Sequence, residues 1–185
     1  MGEAVNVRRA IQKAKDLALE LAKESQFVVE AEADATTRAR DRENKNYGDD
    51  PGLMVKDDSS PNTRMVFLRI DVSKHRARIK TAKLRLSCLE SNGEEVDHAF
   101  LVEGNTWNEA TITWSNMPPK GKEIAQWPKP KTGETIQIDI TPAAELARAK
   151  GGKLSICIYS KGYPHSRYAS REHGDKDLRP AILIE

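Results

Sequence analysis

Apolar and polar residues alternate with a period of two through most of this chain. Val66, Leu68 and Ile70 fall on one side of a stretch and Phe67 and Arg69 on the other, while Ile136, Ile138 and Ile140 oppose Gln137 and Asp139. A period of two places successive side chains on opposite faces of a strand, so each stretch predicts a strand with one buried face. The same reading extends to "FVVEAEADATTRAR", "GLMVKDD", "TRMVFLRIDV", "KTAKLRLSCLE", "DHAFLVEG", "ATITW", "ETIQIDIT", "KLSICIYS", "RYASRE" and "PAILIE", separated by Gly, Pro, Asn and Asp clusters. About ten strands without helical crossovers predict an all-β fold, an antiparallel sandwich or barrel.

Two segments depart from that period. Residues 5–25 set Val7, Ile11, Ala14, Leu17, Ala18 and Leu21 at three- and four-residue spacing, the pattern of an amphipathic helix. The segment "TPAAELARAK" predicts a short helix, with Thr141 as cap, Pro142 at the first helical position, and Gly151 and Gly152 as the stop. The chain therefore divides into a helical linker or docking segment, 1–26, and a β-domain, 27–185. No repeat at a solenoid or propeller period is present.

Composition narrows the function classes. The 185 residues carry 30 Lys and Arg against 28 Asp and Glu, a net charge of +2 that lacks the basic excess of a nucleic-acid binder. No window reaches the apolar length of a membrane span, and "MGEAVNVRR" has no secretory h-region, so the chain reads as cytoplasmic or as a part of a longer secreted protein. Cys88 shares the Leu84/Leu86 face whereas Cys157 points away from the Leu154/Ile156/Ile158 face, which predicts two reduced, partly buried thiols and no bridge.

Catalytic signatures are missing: there is no glycine-rich phosphate loop, "GxSxG", "HExxH" or close cysteine pair. His75, His98, His165 and His173 are scattered over strand ends and loops. The loop "NKNYGDDPG" and the nearby "VKDDSSPN" supply hard oxygen ligands of the kind Ca²⁺ takes, and ordinary turn chemistry accounts for them equally well. A structural Ca²⁺ would draw on Asp49 and Asp50 and tie them to a late strand near Asp139.

A second constellation is basic and aromatic. Lys56, Arg69 and Arg85 fall opposite apolar faces, and Tyr159 and Tyr168 lie in late strands, with Arg64 and Lys45 at the rim. Arg pairs bidentately with planar carboxylates, Lys acts as a point charge, and a tyrosine ring packs on the apolar face of a sugar, so such a face suits an anionic polysaccharide. A solvated face with cations guarding a sheet edge is the competing account. In "TWNEATITWSNMPP", Trp107 and Trp114 bracket a long excursion and read as a plug at the end of the sandwich, with Glu109 and Asn116 capping loop amides.

Taken in order, "ADATTRARDRENKNYGDDPGLMVKDD", "TRMVFLRIDVS", "IKTAKLRL", "TWNEATITWSNMP", "IQIDIT" and "YASRE" resemble the landmarks of the DNRLRE-type domain family. That family overlaps the carbohydrate-binding modules described for alginate and related uronate polymers, and is similar to the domain of archaeal disaggregatase proteins. The resemblance covers residues 31–185 and implies a β-jelly-roll module attached to a catalytic or surface domain. It implies that Tyr47, Trp107, Glu109, Trp114, Arg171 and Glu172 are positions that maintain the fold. The six-letter motif itself is absent, and the N-terminal helix lies outside the pattern.

Three function classes follow. The first is a non-catalytic module, extracellular or at the cell surface within a longer protein, that binds an acidic, uronate-containing polysaccharide and no nucleic acid. The second is a jelly-roll lyase using Tyr168, Arg171 and His173 in "RYASREHG". The third is an assembly domain whose Leu17/Leu21 stripe pairs with another chain, a short stripe for a stable coiled coil.

Overall fold

A computed structural model describes residues 7–9, 11–16, 26–57, 63–162 and 164–185. The described residues form ten strands: β1 (Phe27–Arg38), β2 (Gly52–Val55), β3 (Arg64–Asp71), β4 (Ala82–Ser91), β5 (Val96–Val102), β6 (Lys120–Pro128), β7 (Thr135–Asp139), β8 (Lys153–Ser160), β9 (Ser166–Ala169) and β10 (Ala181–Ile184). One helix, α1 (Thr141–Ala149), lies between β7 and β8. Every strand pairing is antiparallel, as the alternation predicts.

Two layers face each other. The first runs β6–β5–β8–β3 and ends on the second half of β1; the other starts on the first half of β1 and continues through β10 to β4, with β7 on the far side of β4 and β9 and then β2 beyond its second half. β1 serves both layers because a bulge between Ala31 and Ala33 bends it and resets which side chains turn inward. After the bulge Asp34 and Thr36 share the inward face of Leu68 and Val66.

The core between the layers takes Val66, Leu68 and Ile70 from β3, Leu154, Ile156 and Ile158 from β8, and Leu84, Leu86, Ile182 and Ile184 from the opposite layer. Each is buried, and a fully buried Leu or Ile contributes ~1.5–3 kcal/mol. A smaller cluster lies on the outer side of the first layer, where Trp107 and Ile112 of the 103–119 loop cover Ala33, Ala35, Phe67 and Cys157. Cys157 thus points outward as its parity predicts, yet is buried, and Cys88 is buried as well; both are free thiols, more enclosed than expected.

Three local readings need correction. "ATITW" is a turn, closed by Thr111 and Ile112 N–H groups donating to the Asn108 carbonyl, and no strand. Lys120–Pro128 is a strand that the alternation did not reveal, because its pairing with β5 carries two register shifts. Thr141 opens α1 without capping it: the Asp139 carboxylate accepts from the Thr141 N–H at 2.9 Å, and the Thr141 hydroxyl accepts from Ala82 N at 2.9 Å. The helix does stop at Gly151 and Gly152, both at positive φ, as glycine permits.

Residues 7–9 and 11–16 are helical and exposed, in keeping with the N-terminal pattern. Leu17 and Leu21, on which pairing with another chain would depend, lie outside the described residues. No helix among the described residues is long and apolar enough to cross a membrane.

Candidate functional site

The 103–119 loop divides the outer face of the first layer into a covered part and an open part. Trp107 anchors it: its indole N–H donates to the Ser155 hydroxyl at 3.0 Å, and its ring meets Phe67 edge-on at 6.2 Å. Arg69 lies over the indole at 4.8 Å, donates to the Trp107 carbonyl, and holds the Glu32 carboxylate at 2.5 Å. Glu109 and Asn116 both accept from backbone amides, of Asp34 at 2.7 Å and of Thr113 at 2.7 Å, so the plug and its caps form as the sequence suggests. Trp114 differs, being only half-buried and belonging to neither core cluster.

The open part carries aromatic rings and a lysine. Tyr159 pairs with His98 across β8 and β5, and Phe100 follows two residues on. Lys120 places its ammonium 3.7 Å from the Tyr159 ring centre and 4.8 Å from that of Phe100, a cation–π arrangement on an exposed strand. The Tyr159 hydroxyl donates to the Asp57 carboxylate, and burial together with that partner pushes the phenol up to about 12.

Next to this row, at one end of the sandwich, cations collect around Tyr47. Arg38 stacks on its ring at 3.9 Å and Lys45 stands at 5.2 Å. Arg64 is the cross-strand neighbour of Arg38, bridges to Lys56 through the backbone, and donates to the Met54 sulfur. Burial lowers the Arg64 pKa, and the like charges of Arg38 and Arg42 lower it further. The neighbouring carboxylate Asp50 is shared between Arg38 at 3.7 Å and Arg167 at 3.5 Å. Positive charge therefore exceeds negative charge in this patch, which favours an anionic ligand.

An acidic cluster lies where β1 changes layers. Arg171 donates to Glu109 at 2.8 Å and to Glu172 at 3.0 Å, while its backbone N–H donates to Asp34 at 2.8 Å. Gly48 packs so closely that an added Cβ would sit 2.3 Å from the Glu109 carbonyl oxygen. Burial pushes the Asp34 carboxyl up to about 8, helped by the charges of Glu172 and Glu109, and burial also raises Glu109. These side chains hold loops together, which fits the fold-maintaining role that the resemblance implies for Glu109, Arg171 and Glu172. Tyr47 and Trp107 are likewise buried.

The seven basic and aromatic positions named from sequence do not form one face. Lys45, Lys56, Arg64 and Tyr159 fall within the basic and aromatic region. Tyr168 does not: it is fully buried, accepts from the Trp127 indole at 3.0 Å and donates to Asp97 at 2.7 Å, so it cannot stack on a ligand at the surface. Arg69 is engaged by the loop, and Arg85, on β4 of the other layer, donates to the Arg179 carbonyl at 3.1 Å. Arg38, Lys120 and Phe100 were not named from sequence; Arg38 meets Tyr47 through the loop that follows β1, and the strand register of β5, β6 and β8 that sets Lys120 and Phe100 near Tyr159 is long-range.

The lyase constellation is not assembled. Burial raises the Tyr168 pKa well above the usual phenol range, opposite to what a base needs, Arg171 is held by two carboxylates, and His173 turns back on Asp175. The carboxylates named for Ca²⁺ are also apart in role. Asp139 accepts from Thr141, Asp50 pairs with Arg38 and Arg167, and Asp49 alone lines the pocket beside Glu109 and Glu172.

Comparison with known proteins adds a family. The model of carbohydrate-binding module family 96 matches residues 25–185. No curated protein matches the chain. Among solved structures, the chain is similar to the N-terminal endo-1,4-beta-D-xylanase 10B of Clostridium thermocellum, its CBM22-1–GH10 modules complexed with xylohexaose. The two are 9% identical with a TM-score of 0.36, over 86% of this chain and 28% of that one, so this chain spans well under a third of that protein's length.

Proposed function

The chain belongs to carbohydrate-binding module family 96, and from that premise we propose that it is a non-catalytic module that recognises an acidic, uronate-containing polysaccharide. The observations that carry the reading are the gathering of Arg38, Lys45 and Arg64 about Tyr47 and the stacking of Lys120 over Tyr159 and Phe100, with Lys56 paired to Arg64 through the backbone and Asp57 accepting from the Tyr159 hydroxyl. Guanidinium groups take sugar carboxylates in a planar, bidentate pose, the lysines add point charge, and the Tyr159 and Phe100 rings offer apolar faces to the pyranose.

Such a module works by effective concentration: tethered to a catalytic or surface domain of a longer secreted protein, it keeps that domain on its polymer. The alginate-type specificity suggested by the DNRLRE-like motifs belongs to this proposal. Affinity electrophoresis through gels containing alginate, pectate or neutral glucans tests it. Selective retardation by the polyuronates is expected; retardation by neutral glucans alone would contradict the acidic specificity.

A further inference from the structure

We propose that Asp34, Glu109 and Glu172 form a binding site for one divalent, oxygen-seeking cation, Ca²⁺ foremost, that pins the 103–119 loop and the turn after β9 to β1. One carboxylate oxygen from each residue lies within 4.8 Å of the others. Two oxygens on one Ca²⁺ at about 2.4 Å are at most about 4.8 Å apart, so the spacing is that of ligands to a shared ion.

An acidic cluster alone would say little; two oxygens left without partners say more. Asp34 is 1% exposed, and its Oδ1 is buried with no hydrogen-bond partner, although its Oδ2 accepts from Arg171 N. Glu172 Oε2 is buried and unpartnered too, while its Oε1 accepts from Arg171. Leaving such acceptors unsatisfied costs ~1–3 kcal/mol each, more when charged, and a cation removes that cost. Glu109 and Glu172 outnumber the one Arg171 guanidinium, so the cluster keeps a net negative charge that a cation complements.

The donor set is all oxygen, with no His or Cys, which favours a hard ion over zinc or copper. Ca²⁺ takes six to eight ligands, and the shallow pocket lined by Asn46, Gly48, Asp49, Glu109, Ala110 and Glu172 leaves an open side for water. The oxygen-rich loops of the sequence pointed instead to Asp49, Asp50 and Asp139; the trio comes from three separate segments, 34, 109 and 172, that only the fold unites.

The test is calorimetric titration of CaCl₂ into the full chain stripped with a chelator, paired with thermal melts against NaCl of equal ionic strength. Binding of one ion per chain with a Kd of about 1 mM or tighter is expected, with a rise in Tm. Glu172→Gln and Glu109→Gln should each weaken the ion at least about tenfold, a typical ligand-loss effect. Absence of heat and of any Tm change up to 10-fold above about 1 mM would overturn the site without a variant being needed. Unaltered affinity in both folded variants would overturn it as well. Neither result bears on polyuronate retardation, which tests the basic patch separately.

Discussion

The polar network around Tyr168 and the acidic cluster around Asp34 are both buried, both built from distant segments, and both hold a carboxylate oxygen without a hydrogen-bond partner, Asp97 Oδ1 in the first, but only the first is balanced in charge. Trp127 donates to Tyr168, Tyr168 donates to Asp97, and Lys129 stands 4.0 Å from the same carboxylate while donating to the Pro164 carbonyl. One negative charge meets one positive charge, and the network ties β5, β6 and β9 together. At Asp34 three carboxylates meet one guanidinium, and two oxygens lack partners. A charge-balanced network needs no counter-ion, whereas a cluster of similar burial with an excess of carboxylates has room for one.

Substitutions can break that comparison, and the largest effect belongs to the charge-balanced network. Tyr168→Phe removes the hydroxyl between Trp127 and Asp97 and leaves a buried carboxylate short of a donor, so a loss of about 2–3 kcal/mol in urea denaturation is expected. A loss near zero would mean the network is slack. Asp34→Asn should act differently: burial already holds this carboxyl up at about 8, so near neutral pH in chelator-treated protein the change replaces a largely protonated carboxyl, and stability should change by less than about 1 kcal/mol. A closed ion-pair network would instead lose about 3–5 kcal/mol on losing one partner.

The smallest effect is at the surface. Hydrogen bonds from Ser73 and Lys153 hold Asp71 down at about 2, below its unfolded value near 3.8. A lowered carboxyl pKa stabilises the fold above the unfolded value, and that contribution is lost as pH falls through the folded one. Asp71→Asn should therefore flatten the stability profile between about pH 4 and 2 by no more than ~1 kcal/mol, as for an exposed pair.

Much of the fold was legible because the two-residue period of β3, β7 and β8 is local, although the loop over the outer side of β3 and β8 buries Phe67 and Cys157 as well. β6 was not, since its bulges break alternation, and "ATITW" misled because its apolar Ile112 serves a loop that folds back on a sheet. The site was legible in part. Of the positions named from sequence, Lys56, chosen by parity, and Lys45, Arg64 and Tyr159, chosen by residue type, belong to the proposed patch. Tyr168 failed because parity tells two faces apart but not which one a second layer covers. Arg38 needed the loop that follows β1, Lys120 needed register, and Asp34 needed the bulge that turns it inward.

The central claim is recognition of a uronate polymer by the basic and aromatic patch, and one measurement tests it most directly. Lys45→Glu combined with Lys120→Glu alters two exposed side chains, for which folding stability should move by no more than about 0.5 kcal/mol per site. Retardation of this variant and of the wild type would be compared in alginate and pectate gels. Loss of retardation with an unaltered thermal melt is the predicted result; retardation equal to wild type would contradict the account.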